Sequence, residues 1–309
     1  MKKHWNRIVI SVLVLTVLAG SASSGAQALP RVKIAYNPMP FNLPSIVERQ
    51  QGFFAQQGWD VEYSTFLVGN AMTEAMATKN LSIAPVMGGT SAIVSKAGGR
   101  DIQIVGVYSQ APSAFGLASL PGGTRLNELR GKKIAVPIGT EAHFLLTKIL
   151  AEQGLTLRDV ELVNLLIPDG ITALQSRQVD AAMVVEPVMS RLLHGNKIEI
   201  LRDGEGLIAG MTFTVVPAEL ADSPEVAAFR DAHNKSLEFM MEHSDQVLEL
   251  AASEMNIPLP VVRRIAEKYS FPPEITEDVR LSLQETIDFL YGEGLIRRRI
   301  RVDELVFGE

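Results

Sequence analysis

Asn127-Glu128-Leu129-Arg130-Gly131-Lys132-Lys133 runs into Ile134-Ala135-Val136-Pro137, and this passage decides the fold. A polar turn feeds a short apolar strand, and from that strand an α/β rhythm begins for the second time. Upstream, Val32–Tyr36, Val61–Phe66, Ile83–Met87 and Ile102–Val107 are short apolar or β-branched runs. They alternate with helical patterns at Leu43–Gln51, Asn70–Thr78 and Thr90–Ala97. Downstream, Ala142–Gln153 reads as a helix with apolar residues at Phe144, Leu145, Ile149 and Leu150, and Val160–Leu165, Ile171–Arg177 and Ala181–Val185 continue the alternation. Buried parallel strands read as nearly continuous apolar runs, and their connections to helices are short, as here. Two consecutive α/β rounds predict two lobes, each a mainly parallel sheet flanked by helices.

From Thr212 one further strand, Phe213–Val216, is expected, followed by helices at Pro224–His243, Asp245–Met255, Leu259–Tyr269 and Glu277–Tyr291. This terminal block has no strands of its own and should pack onto a lobe already built. The expected organisation is a signal peptide over 1–28, a first lobe from 29–112 and 213–309, and a second lobe from 113–212. The chain would cross between lobes near Val107–Ala118 and Gly206–Thr214, and these crossings would form the hinge.

The first 28 residues read as an export signal. Lys2, Lys3 and Arg7 precede the apolar run Ile8–Leu18, and a small, polar stretch ends Ala26-Gln27-Ala28. That is a basic start, a core of about a dozen residues and an A-x-A cleavage site. The run is too short for a membrane span, which needs about 20 apolar residues. Cleavage after Ala28 would lower Lys+Arg from 29 to 26 while Asp+Glu stays at 35, moving the net charge from −6 to −9. An acidic chain is a poor match for nucleic acid or anionic membranes. Hydrophobic content of 47% against 21% charged residues is that of a globular protein. The chain contains no cysteine, which excludes disulfides, a thiolate nucleophile and a lipidated N-terminus.

Catalytic patterns are weak. Past the signal there is no G-x-S-x-G, H-E-x-x-H or phosphate-binding loop. His143, His194, His233 and His243 are scattered, without metal-ligand spacing. His194 adjoins Gly195 at an expected helix end, and His233 and His243 are expected to be solvated on amphipathic helices. No metal, cofactor or enzymatic activity is expected.

Signals for binding are stronger. In open parallel sheets, ligands sit beyond the carboxyl ends of the strands. Four such turns are rich in Gly, Asn, Thr or Pro: Asn37-Pro38-Met39-Pro40-Phe41-Asn42, Val68-Gly69-Asn70, Gly88-Gly89-Thr90-Ser91 and Gly139-Thr140-Glu141-Ala142-His143. Glycine lets a ligand approach the backbone, and Thr or Asn can cap a helix while sharing donors with a ligand. The free N–H groups there suit an anionic or carbonyl oxygen. Any one turn alone reads as a helix cap; four at equivalent positions in both lobes read as a site.

These residues resemble the periplasmic binding proteins of nitrate, taurine and aliphatic-sulfonate ABC importers. The resemblance rests on Val32-Lys33-Ile34-Ala35-Tyr36 with Gln51-Gly52-Phe53-Phe54, on Leu129–Val136, on Gly139–His143, and on Val179-Asp180-Ala181-Ala182-Met183-Val184-Val185-Glu186-Pro187. It implies a monomer that closes on a small solute and delivers it to an ABC permease and its ATPase. By position, the pocket would draw on Asn37, Met39, Phe41, Asn42, Gly69, Asn70, Gly89 and Thr90 from one lobe. Thr140, Glu141, His143, Asp169 and Glu186 would face them from the other. Two residues depart from the family pattern: Glu141 stands where a hydroxyl is usual, and Val185 where an aromatic is common. A buried, unpaired carboxylate beside an oxyanion would repel it, which disfavours nitrate. Glu141 either complements the helix dipole or faces the cleft to pair with an amine or ring N–H of the ligand. A thiamine-precursor-like N-heterocycle is thus an alternative solute. A thiamine-pyrimidine synthase would be associated with a cysteine-rich motif that this chain lacks, and a sensory module remains a further alternative.

Overall fold

A computed structural model describes residues 29–66, 69–272 and 274–308. The expected export signal and Val68 of the second turn lie outside the described residues. In chain order the elements are β1 (Arg31–Tyr36), α1 (Leu43–Gln51), α2 (Phe53–Gln56), β2 (Asp60–Thr65), α3 (Gly69–Ala77), β3 (Ala84–Gly88), α4 (Gly89–Ala97), β4 (Ile102–Gln110) and β5 (Phe115–Ser119). Then come β6 (Lys133–Val136), α5 (Glu141–Glu152), β7 (Glu161–Asn164), α6 (Ile167–Gln175), β8 (Ala181–Val185), α7 (Val188–His194) and β9 (Glu199–Asp203). The chain finishes with β10 (Met211–Pro217), α8 (Pro224–Glu242), α9 (Ser244–Met255), α10 (Leu259–Ala266), α11 (Glu277–Gly292) and α12 (Val302–Leu305).

The two sheets repeat one pattern. In the first, β1 pairs parallel with β2, and a bridge between Ile34 and Ile83 joins β1 to β3. β10 then lies antiparallel between β3 and β4, for an order β2-β1-β3-β10-β4. The second sheet runs β7-β6-β8-β5-β9, with β5 antiparallel between β8 and β9. Each sheet is thus mainly parallel, with a single reversed strand at its fourth position. That strand is supplied by the segment that has just crossed from the other sheet: β5 follows β4, and β10 follows β9. The expected crossings Val107–Ala118 and Gly206–Thr214 are shorter in the structure, because β4 runs on to Gln110, β5 begins at Phe115 and β10 begins at Met211.

Helices cover both faces of each sheet, as the apolar strands require. On one face of the first sheet, α4 and α11 enclose Ile93, Ile104, Phe213, Val215 and Ile287. On the other, α1, α2 and α8 enclose Ile34, Phe54, Tyr108 and Phe229. In the second lobe α5 buries Leu145, Leu146 and Ile149 against Ile134 and Met183, while α6 buries Ile171 and Leu174 on the opposite face. Each fully buried aliphatic side chain contributes about 1.5–3 kcal/mol. The helices α8 and α11 of the C-terminal block pack against the two faces of the first sheet. Past α12, Val306 bridges Ile104 of β4. Among the described residues no helix is long and apolar enough to cross a membrane.

The two crossings are themselves paired. The Ala111 N–H donates to the Gly210 carbonyl at 2.9 Å. Gly210 has φ +59°, and a Cβ there would come within 2.6 Å of the Pro112 backbone, so the pairing depends on glycine. Gln110 and Ser270 exchange backbone hydrogen bonds at 2.8 and 2.9 Å, which lays a third segment along the hinge.

Candidate functional site

The strands β1, β2 and β3 in one lobe, and β6 in the other, lead into the four turns expected to bind ligand, and β8 leads to Glu186. Their helices begin there with little side-chain capping. α4 starts after Gly88, which has no side chain to cap with. α5 starts after Thr140, whose hydroxyl donates backward to the Pro137 carbonyl at 2.6 Å. The expected Thr140 cap is not made: its hydroxyl hydrogen goes to Pro137 O, and no first-turn N–H donates to its oxygen. By contrast α8 and α11 are capped by Ser223 and Thr276. α9 and α10 are also without a side-chain cap, so a missing cap is diagnostic only where strand ends converge.

Several of the expected site residues serve the framework. Asn42 is fully buried; its amide donates to Asn37 O at 2.8 Å, and its Oδ1 accepts from the Tyr108 hydroxyl at 2.9 Å. Tyr108 in turn accepts from the Ser45 N–H at 3.0 Å, so Asn42 braces β1 against β4. A Cβ on Gly69 would lie 2.5 Å from Ser91 Cβ, which explains the glycine by close approach of α3 to α4. Gly89 packs under Phe213 in the same way, at 3.1 Å, and Thr90 beside it is buried. Asn37, Met39 and Phe41 are half-buried, while Asn70 and Asp169 are exposed.

The second-lobe turn is richer. Gly139 takes φ +80°, a left-handed conformation that favours glycine, and this turns the chain into α5. His143, only 2% exposed, stands edge-on to Phe289 of α11 at 5.2 Å between ring centroids. Its Nδ1 accepts from the Gly139 N–H at 3.4 Å, which leaves the hydrogen on Nε2. That Nε2 is buried and has no hydrogen-bond partner among the described residues. Burial holds the imidazole below its ordinary range, with the Glu293 charge opposing.

Two glutamates open helices on adjacent strands. Glu141, half-buried, is the first residue of α5 and lies beside Gly210 where the crossings pair. Burial pushes its carboxyl up to about 7, with the Gly210 N–H pulling the other way. Among the described residues no cation reaches it. Glu186, 2% exposed, accepts from the Ser190 N–H at 3.1 Å and its hydroxyl at 2.8 Å, and it pairs with Lys268 at 2.6 Å. Lys268 follows α10 and also reaches Ser113 O at 3.4 Å, so this ion pair ties the C-terminal block to the second lobe across the hinge.

Sequence reasoning missed Lys268, Phe289 and Gly210, which reach the turns from distant segments. It also misjudged His233, which is buried against Tyr108 at 4.8 Å and held down to about 4 by desolvation. A cavity of about 450 Å³ lies between α8, α9, Leu43 and Tyr269 and is almost wholly apolar. We place the candidate site at the converging turns, where helix N-termini and buried polar groups gather.

Two α/β units of one topology are thus joined by paired crossings, with helix N-termini turned toward their junction. The chain belongs to the NMT1/THI5 like family, whose model matches residues 40–247. A protein of Bacillus subtilis (strain 168) named for binding aliphatic sulfonates is 27% identical over 314 residues, covering 97% of this chain and 93% of that one. Among solved structures, the periplasmic aliphatic sulphonate-binding protein SsuA of Escherichia coli superposes with a TM-score of 0.82 at 20% identity, covering 90% and 92% of the two chains. The alkanesulfonate-binding SsuA of Xanthomonas axonopodis pv. citri, bound to MOPS, gives 0.79 at 23% identity, covering 91% and 99%. At these identities the structural likenesses establish the fold.

Proposed function

We propose that this protein is the solute-binding component of an ABC importer and captures a small organic sulfonate between its lobes. The carrying observation is the α5 N-terminus: its first-turn N–H groups are left without the Thr140 cap and stand beside the hinge. Such a terminus favours an oxyanion by both hydrogen bonds and the helix dipole. Membership of the family and the relatives named for binding sulfonates support the same reading. In this reading residues 29–112 with 213–309 and residues 113–212 move as the two lobes. The chain is exported through a cleaved signal over 1–28 and works as a periplasmic monomer without catalysis. It hands its solute to a permease driven by an ATPase. The pocket is lined from Asn37, Met39 and Phe41 on one side and from the Gly139–His143 turn on the other.

Thermal shift against short alkanesulfonates, taurine, nitrate and N-heterocycles tests the proposal. A ligand at 100 times its dissociation constant stabilises by about 2.7 kcal/mol, which such a scan resolves readily. Sulfonates should raise the midpoint and nitrate should not. A response confined to N-heterocycles would overturn the proposal.

A further inference from the structure

We propose that the apolar cavity between α8, α9 and the start of α1 receives the hydrocarbon part of the solute, so that the preferred sulfonate carries a medium-length alkyl chain or an aromatic ring. The inference rests on the sulfonate reading above and extends it from the head group to the tail.

The cavity, about 450 Å³, has the size of a ligand pocket. Packed interiors leave few voids larger than a water molecule, so a space this large is a site and not a packing fault. Its walls include Leu43, Leu237, Met240, Leu248 and Phe271. Apart from the Ser244 and Tyr269 hydroxyls the described lining is apolar, and no charged side chain is among it. Leu43 and Val247 on the wall also belong to the cluster that buries Ile46, Ala251 and Ile265, so the cavity stands on a firm floor. Met240 and Met241 form the adaptable part: unbranched thioethers follow the shape of an occupant, and Met241 is 77% exposed without one.

Two of the walls come from the junction of the lobes. Leu43 opens α1 directly after the Asn37–Asn42 turn that β1 leads into. Tyr269 stands between two residues that hold the hinge. On one side Lys268 pairs with Glu186 of the second sheet at 2.6 Å and reaches Ser113 O. On the other Ser270 exchanges backbone hydrogen bonds with Gln110 at the first crossing. Burial, and behind it the Glu186 charge, push the Tyr269 hydroxyl up, so this wall feels the second lobe directly. The apolar space therefore adjoins the candidate site, and the chain that fills it can belong to a molecule whose polar end lies between the lobes.

The lining selects the occupant. An ammonium or carboxylate would lose its water there and find no partner of opposite charge. Methylenes or a ring gain by leaving water and need no partner. Isothermal titration of the purified protein with the 1-alkanesulfonates from ethane- to octanesulfonate tests the proposal, with taurine set beside its near-isostere 1-propanesulfonate. Affinity should rise about fourfold per added methylene until the cavity is full, at one sulfonate per chain. Taurine should bind at least about tenfold more weakly than 1-propanesulfonate. Ala266→Phe and Ser244→Phe, which fill the cavity from α10 and α9, should each flatten the rise with chain length. The length series is read on the unaltered chain, so the test does not depend on either variant folding. Affinity that stays level or falls beyond butanesulfonate would overturn the inference and leave the sulfonate reading standing. A rise that neither filling variant changes would do the same, as would taurine binding more tightly than 1-propanesulfonate. Failure to bind any organosulfonate of any length would remove both.

Discussion

The turns after β6 and β8 stand side by side in the second sheet, and each sets a glutamate at the start of a helix, yet the two carboxylates live differently. Glu186 is enclosed by Ser190 and Lys268, and its charge is answered by a cation brought from the far end of the chain. Glu141 meets a backbone N–H and no cation, and burial pushes it toward neutrality. The difference teaches that a carboxylate's role is set by what the other lobe brings to it. A buried ion pair costs desolvation and is worth having only with good geometry and satisfied hydrogen bonds, which Glu186 has. A lone buried carboxyl lowers that cost by holding its proton.

Removing Glu186 should have the largest effect. Glu186→Ala leaves Lys268 unpaired and strips α7 of its cap, at a cost of about 3 kcal/mol, the low end for a broken buried pair because Lys268 keeps some water. Urea denaturation at pH 7 measures it, and adding Lys268→Met should recover much of the loss. An unchanged midpoint for the single variant would erase the contrast between the two turns.

Glu141 sharpens it in the opposite direction. Its folded-state pKa, about 7, lies above the ordinary 4.5, so its contribution to stability is fully present below about pH 4.5 and is lost as pH rises through 7. Glu141→Gln should therefore be more stable than the parent at pH 8, by about 2 kcal/mol once the full shift, worth about 3 kcal/mol, is discounted for the partial exposure of the side chain, with the two denaturation curves converging near pH 4. Equal stability at both pH values would mean the carboxyl titrates as an exposed one.

The smallest effect belongs to Thr140. Because its hydroxyl is spent on Pro137 O, Thr140→Ala should cost about 1 kcal/mol of stability and leave sulfonate affinity within about twofold. A tenfold loss of affinity, read by calorimetry at constant pH, would return the hydroxyl to the ligand.

The central strands β1, β3, β6 and β8 were legible because each is an apolar run closed by a turn, and burial leaves little choice of residue. The strands β5 and β9 were not. Phe115-Gly116-Leu117-Ala118-Ser119 has weak strand propensity and is held by β8 and β9 on either side. Glu199-Ile200-Leu201-Arg202-Asp203 is an edge strand with charged ends. In the site, the Gly139–His143 turn announced itself through glycine and polar residues at a helix start. Lys268 and Phe289 carried no such mark, since their importance comes from packing across the hinge. His233 misled because its helix is amphipathic, and only the packing of Phe229 and Tyr108 shows which stripe it joins.

The placing of β10 inside the first sheet has a consequence in time. β4 ends at Gln110, and the strand that separates it from β3 begins at Met211, about a hundred residues later in synthesis. Until then β3 and β4 have nothing between them, and the Val306 that bridges β4 arrives last of all. Contacts so distant along the chain close slowly, because loop entropy must be overcome before they form. The first sheet is therefore complete only after residues 113–203, which build the second sheet, have been made.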